Sequence, residues 1–275
     1  MDYALSEWLN LVVRWFHVFA GILWIGQTFF FTWMDRTLSS ESSLWMVHSG
    51  GFYVVQKQKV PEALPQRLHW FRWEAALTWL SGMTLLIIVY YLGGLMETQA
   101  VGGVTISVFI GFMLLAVAWA VYDLFWRSPL GKNEAVGAIV SYAMLVGVIF
   151  GLTHVMSGRA AYIHVGAMLG TLMSANVWVR ILPFQRQMVA AARQGMSGAN
   201  ASPTGCSHQN MMPDMSLGDR ARQRTKHNNY MVVPVVFIMI SNHFPVATYG
   251  NKYNWLVLSV LTVIGGIAAK ILRSR

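Results

Sequence analysis

Seven stretches of this chain are apolar over about 20 residues or more, the length a helix needs to cross ~30 Å of hydrocarbon. They cover residues 8–34, 74–96, 104–126, 134–156, 159–182, 228–248 and 253–272. Such a chain cannot fold around one water-soluble core. Only 11% of its 275 residues are charged and 55% are hydrophobic, with a mean hydropathy of +0.47, whereas soluble domains carry about a quarter charged residues. The pattern predicts an all-α integral membrane protein, a bundle of about seven transmembrane helices forming a single domain over residues 1–275. Pro234 and Pro245 interrupt the sixth window, and proline is accepted in a spanning helix where neighbours satisfy the freed carbonyls. Asp2 and Glu7 stand where a secretory signal would be basic, so the first window is expected to remain as a membrane helix.

Basic residues set the orientation. With the amino terminus outside, seventeen of the twenty Lys and Arg fall on inner connections, leaving Arg14, Arg159 and Lys252 outside. That imbalance predicts an outer amino terminus and an inner carboxyl terminus. It also accounts for the +9 net charge through topology and anionic lipid, with no nucleic acid as partner. Two connections are long. Residues 35–73 include a stretch with helical character after Pro65, and residues 183–226, rich in Gly, Ser, Asn and Pro, read as a mobile cytoplasmic loop. The single Cys206 excludes an intrachain disulfide, an iron–sulfur centre made of the chain's own cysteines and a C-x-x-C-H haem attachment.

In this orientation His17, His154, His164 and His243 come from four different helices to the outer half of the membrane, with His17 roughly 14 Å deep. A hydrogen bond to a neighbour accounts for any one of them. Four together point to function, because ionisable groups inside a membrane are costly. Imidazoles on facing helices hold haem iron, so the expected cofactor is haem b, with His17 and His164 as first choice for the axial pair and His154 and His243 as alternatives. Gly21, Gly26, Gly147, Gly151, Gly166 and Gly170 would let a flat macrocycle approach, and close helix packing explains them equally well. A copper or zinc site is the rival, poorly supported by the few available carboxylates and the lone Cys. Arg14 flanks this region as a propionate partner, and Arg159 serves either a propionate or an anionic substrate, interfacial snorkelling being the plain alternative for both.

The segment HNNYMVVPVVFIMISNHFP, residues 227–245, opens with two amides and closes on Ser-Asn-His. Together with WFHVFAGILWIGQTFFF (15–31) and THVMSGRAAYIHVGAMLGTLMSANVW (153–178), it resembles the bacterial membrane-bound urate hydroxylases, the urate oxidase N-terminal domain family, over essentially the whole chain. The resemblance implies a multi-pass protein of the bacterial cytoplasmic membrane. It also implies an oxidoreductase that hydroxylates urate to 5-hydroxyisourate in purine degradation and passes electrons to a cytochrome c. In such proteins one more membrane helix and a cytochrome c domain follow. This chain ends at ILRSR without C-x-x-C-H, so a separate or missing cytochrome c is expected. Urate is a planar monoanion rich in amide-like groups, so its site calls for a cation and side-chain amides. Arg159 and Asn242 are the expected pair, with Arg14 and Asn176 as further candidates. The alternative is a non-enzymatic transporter or a metal- or haem-handling protein using the same histidines.

Overall fold

A computed structural model describes residues 3–58, 61, 63–96, 103–201 and 215–274. These form eight α-helices and one β-hairpin: α1 (Tyr3–Ser40), β1 (Leu44–His48), β2 (Gly51–Val55), α2 (Trp73–Leu85), α3 (Gly103–Arg127), α4 (Glu134–Val155), α5 (Gly158–Ala175), α6 (Leu182–Ala201), α7 (Met215–Ser241) and α8 (Asn254–Ser274). Two π segments extend helices: Leu86–Tyr91 continues α2, and Asn176–Ile181 joins α5 to α6. Among the described residues, six spans are long and apolar enough to cross a membrane: Ala4–Ser40, Trp73–Tyr91, Gly103–Arg127, Glu134–Val155, Gly158–Gln194 and Asn254–Ser274. Large apolar side chains on α1 and α3, among them Trp8, Trp15, Ile22 and Phe109, point outward, as lipid-facing helices require.

The expected sixth span differs. The sequence pattern puts it at residues 228–248, but α7 begins at Met215 and stops at Ser241. Its first half, SLGDRARQRTKHNN, is polar. The apolar run 230–240 rises only about 16 Å at ~1.5 Å per residue, half of a bilayer core. Pro234 lies inside the helix and is tolerated because Gly265 of α8 opposes it: a Cβ there would meet the proline ring at 3.0 Å. Beyond Ser241 the chain coils through turns to Asn254, held by Thr248 Oγ1 donating to the Ser241 and Phe244 carbonyls at 3.1 and 2.6 Å.

The connection expected as a mobile loop, 183–226, is helical over its described parts, which belong to α6 and α7. Residues 202–214, with Cys206 and His208, lie outside the described residues. In the other long connection the stretch after Pro65 is not helical. The regular structure there is instead the hairpin, whose register pairs Leu44 with Val55 and His48 with Gly51. Its two-residue turn has positive φ at Ser49 (49°) and Gly50 (76°), the geometry that matches strand twist.

Helix α5 is the centre. Eleven of its eighteen residues are buried, against α3, α4, α7 and the extended α2. It runs antiparallel to α7: a Cβ at Gly166 would touch Ile238 at 2.8 Å, whereas ten residues on Asn176 bonds Asn228. Gly158 at its start abuts the Tyr249 carbonyl, and Ser157 caps it by accepting from Ala160 N at 3.4 Å. These contacts fix where Arg159 and His164 enter the bundle.

Candidate functional site

Two polar clusters lie near opposite ends of α5, and each is built on a π segment. A π turn carries one extra residue and is often found where function needs a re-aimed side chain. The segment Leu86–Tyr91 supplies Tyr90 and Tyr91, and Asn176–Ile181 supplies Asn176 and Arg180. From Arg159 to Asn176 the axial rise is about 26 Å.

The first cluster gathers three of the expected residues around two tyrosines that sequence patterns did not single out. Tyr90 is 6% exposed, and its hydroxyl donates to Asn242 Oδ1 at 3.3 Å. The Arg159 side chain lies beside the same hydroxyl. Arg159 Nε is buried and has no hydrogen-bond partner, so the side chain beside Tyr90 keeps one donor unused. His164 is fully buried. Its Nδ1 lies 2.7 Å from the Ala160 carbonyl, which can only accept, so Nδ1 carries the proton and Nε2 accepts from the Tyr91 hydroxyl at 3.1 Å. Tyr90 meets the same imidazole edge-on at 6.4 Å.

The remaining expected residues stand apart. His17 Nδ1 is 3.0 Å from both the Thr78 carbonyl and Ser81 Oγ. Its ring fills the space over Gly82, where a Cβ would come within 2.9 Å of Cε1. Nε2 has no hydrogen-bond partner among the described residues. With α2 as ruler, His17 sits opposite Thr78–Gly82 and His164 opposite Tyr91, so their partners lie about 14–20 Å apart along the bundle at ~1.5 Å per residue. His154 is exposed, with Nδ1 2.7 Å from the Phe150 carbonyl. His243 is exposed in the turn after α7, and Arg14 bonds Asn10 at 2.9 Å on the α1 surface. Among the described residues no group of three or more His, Cys, Asp or Glu assembles a metal site.

The imidazoles differ in how they would fit a haem. His17 has the form of an iron ligand: Nδ1–H anchored on a carbonyl, Nε2 free. At His164 the face toward α3 has no room even for a methyl group, since a Cβ at Gly111 would lie 2.7 Å from Nε2 and from the Tyr91 hydroxyl. A macrocycle does not fit on that side. Of the glycines expected to admit one, Gly166 serves helix packing, while Gly82 and Gly111 are the described glycines that lie against imidazole rings.

The second cluster is centred on Tyr122 and Asp123 of α3, and its members were mostly invisible to sequence patterns. The Tyr122 hydroxyl shares a hydrogen bond with His227 Nδ1 at 2.7 Å and accepts from Asn176 Nδ2 at 3.0 Å. Asn176 also donates to Asn228 Oδ1 at 2.9 Å, and Asn228 to the Met173 carbonyl at 3.0 Å. Asn176, expected near the outer layer, is thus carried to the far end of α5 by simple helical rise. Asp123 accepts from Arg180 Nε at 2.8 Å and Arg224 Nη2 at 2.9 Å, while its other oxygen meets Arg180 Nη2 and, at 3.7 Å, Arg127. The Arg224 guanidinium covers the Tyr122 ring at 5.0 Å, and Trp126 packs against His227 with ring centroids 4.1 Å apart and planes tilted by 48°. A lone acid inside an apolar window, Asp123, was the available signal; it needed the basic residues of α7, hidden in what reads as a loop.

The sequence model described as "urate oxidase N-terminal" matches residues 3–275. Neither a curated protein nor a solved structure matches the chain.

Proposed function

The chain belongs to the urate oxidase N-terminal family, and from that premise we propose that it is a membrane oxidoreductase hydroxylating urate to 5-hydroxyisourate. The match along residues 3–275 is the observation that carries this reading. The overall change is urate plus water giving 5-hydroxyisourate, two protons and two electrons. The electrons leave singly to a cytochrome c, in a multi-pass protein of the bacterial cytoplasmic membrane.

The first cluster supplies what a planar monoanion requires. Arg159 offers positive charge and a buried unpartnered Nε–H, Asn242 an amide, and Tyr90 a hydroxyl already aligned on Asn242. A charge-assisted hydrogen bond from a guanidinium is among the stronger contacts available to such a ligand. Burial of Tyr90 and His164 keeps that side of the cluster dry, so its dipoles act undiluted by water. A haem b, when bound, supplies one-electron transfer, and His17 is the residue that would hold its iron, with Thr78 fixing the ring.

The test is urate-dependent cytochrome c reduction by membranes containing the wild-type chain or Arg159→Gln. Wild type should reduce the cytochrome only when urate is present, and Arg159→Gln should lose most of that rate while keeping its haem content. Urate-independent behaviour of the wild type would exclude the oxidoreductase, and an unimpaired Arg159→Gln would remove Arg159 from the substrate site.

A further inference from the structure

The cluster around Tyr122 is not complete as a set of partners. Asp123 brings one negative charge, while Arg180 and Arg224 both bond it directly. Arg127 reaches the same carboxylate at 3.7 Å from an exposed position where solvent screens it, so at least one positive charge is left over beside a carboxylate whose side chain is only 10% exposed. Burying an excess charge is unfavourable unless something compensates it. Two atoms show where compensation is lacking. Arg224, 4% exposed, has a buried Nη1 with no partner, and Asn176, fully buried, has an Oδ1 with no partner. Both residues lie against Tyr122, one over its ring and one on its hydroxyl. Trp126, packed against His227, adds a third unpartnered group, its indole Nε1–H.

The unmet set is thus a guanidinium N–H, an amide oxygen, an indole N–H and one unit of positive charge. Chloride would answer the charge and the donors but leave Asn176 Oδ1 without a donor. A carboxylate fails in the same way, for it brings acceptors only. A planar purine-type monoanion answers all of them. Its carbonyl oxygens accept from Arg224 and Trp126, a ring N–H donates to Asn176, and its charge balances the extra arginine.

We infer that the Tyr122 cluster is a second binding site, for a planar oxopurine monoanion of the urate class, entered from the face of the bundle opposite Arg159. This inference rests on the reading of the chain as a urate-handling protein. The basic residues put this face on the cytoplasmic side, so the site would take substrate from the cytoplasm before it reaches the Arg159 cluster about 26 Å away. The segment joining the two is the second half of α7, which carries His227 and Asn228 at mid-helix and leads into Asn242 just beyond its carboxyl end.

The test is equilibrium binding of radiolabelled urate to the full chain in lipid nanodiscs. Wild type should bind two equivalents. Arg159→Gln should bind one, Asn176→Leu and Arg224→Gln one each, and Arg159→Gln combined with Asn176→Leu none, with thermal unfolding run on every variant. A single wild-type equivalent that only Arg159→Gln removes would overturn the second site and leave the proposed function standing. No binding by wild type would overturn both. One equivalent removed only by the Tyr122-cluster variants would keep this site and dismiss the Arg159 assignment. Displacement of the second equivalent by chloride at matching concentration would overturn the ligand class. If both cluster variants fail to fold, photolabelling of wild type with azidoxanthine decides. Label on peptides holding Trp126 or His227 supports the site, and label confined to peptides holding Arg159 or Asn242 overturns it.

Discussion

Gly111 approaches His164 so closely that a Cβ at position 111 would sit 2.7 Å from the imidazole Nε2. The imidazole cannot retreat easily, because Nδ1 is bonded to the Ala160 carbonyl at 2.7 Å and the ring is fully buried. Gly111→Ala is therefore expected to cost about 1–3 kcal/mol, the usual range for overpacking a filled core. The control is Gly147→Ala, where a Cβ meets nothing within 4 Å and helix propensity alone predicts a gain of about 0.8–1 kcal/mol. Thermal unfolding of the two variants in one detergent should move in opposite directions.

Asp123→Asn removes the charge shared by Arg180 and Arg224. Taking one partner from a buried pair leaves the other uncompensated, which costs about 3–5 kcal/mol. Arg127→Gln touches the same carboxylate from a position 61% exposed and at 3.7 Å, where solvent screening leaves about 0–1 kcal/mol. Measured unfolding midpoints should separate these two variants clearly; equal effects would mean that Asp123 is not held as a buried pair.

His17→Ala should lower haem content in membranes, read as loss of the Soret band per milligram of chain. His243→Ala, in an exposed turn, should leave that band unchanged. Retention of full haem by His17→Ala would show that iron, where present, is held elsewhere.

Tyr90→Phe keeps the buried ring and deletes the donor to Asn242. If Asn242 and Arg159 position urate, the urate KM should rise about tenfold, corresponding to ~1.4 kcal/mol, with haem content unaltered. A KM within twofold of wild type would show that the Tyr90 hydroxyl positions nothing.

The apolar helices were legible and the polar connections between clusters were not. α3 and α4 start and stop within one residue of their hydrophobic windows, because a lipid-facing helix advertises itself by composition. α7 gave no such sign: its first half is polar yet buries one face against α6 and the π segment, with Arg224, Asn228 and Asn229 all under 5% exposed. A helix that satisfies its polar groups inside protein looks, in sequence, like a solvated loop. Arg159, Asn242 and His164 were legible as individual residues near one end. Tyr90 and Tyr91, which join them, were two aromatics among many, since their partners lie 152 and 73 residues away. The partner of His17 was not legible either: Thr78, which holds its ring, lies 61 residues away on α2.

That pairing has a consequence for synthesis. His17 is made 61 residues before Thr78, whose carbonyl holds it. At roughly 5–20 residues per second, the imidazole of α1 spends about 3–12 s without that partner. The ribosome must therefore deliver α1 into an environment that hydrates or shields it, and release it laterally only as α2 arrives. The first two helices are then expected to leave the insertion machinery as a pair, and slowing translation between them should lengthen the time α1 is held there.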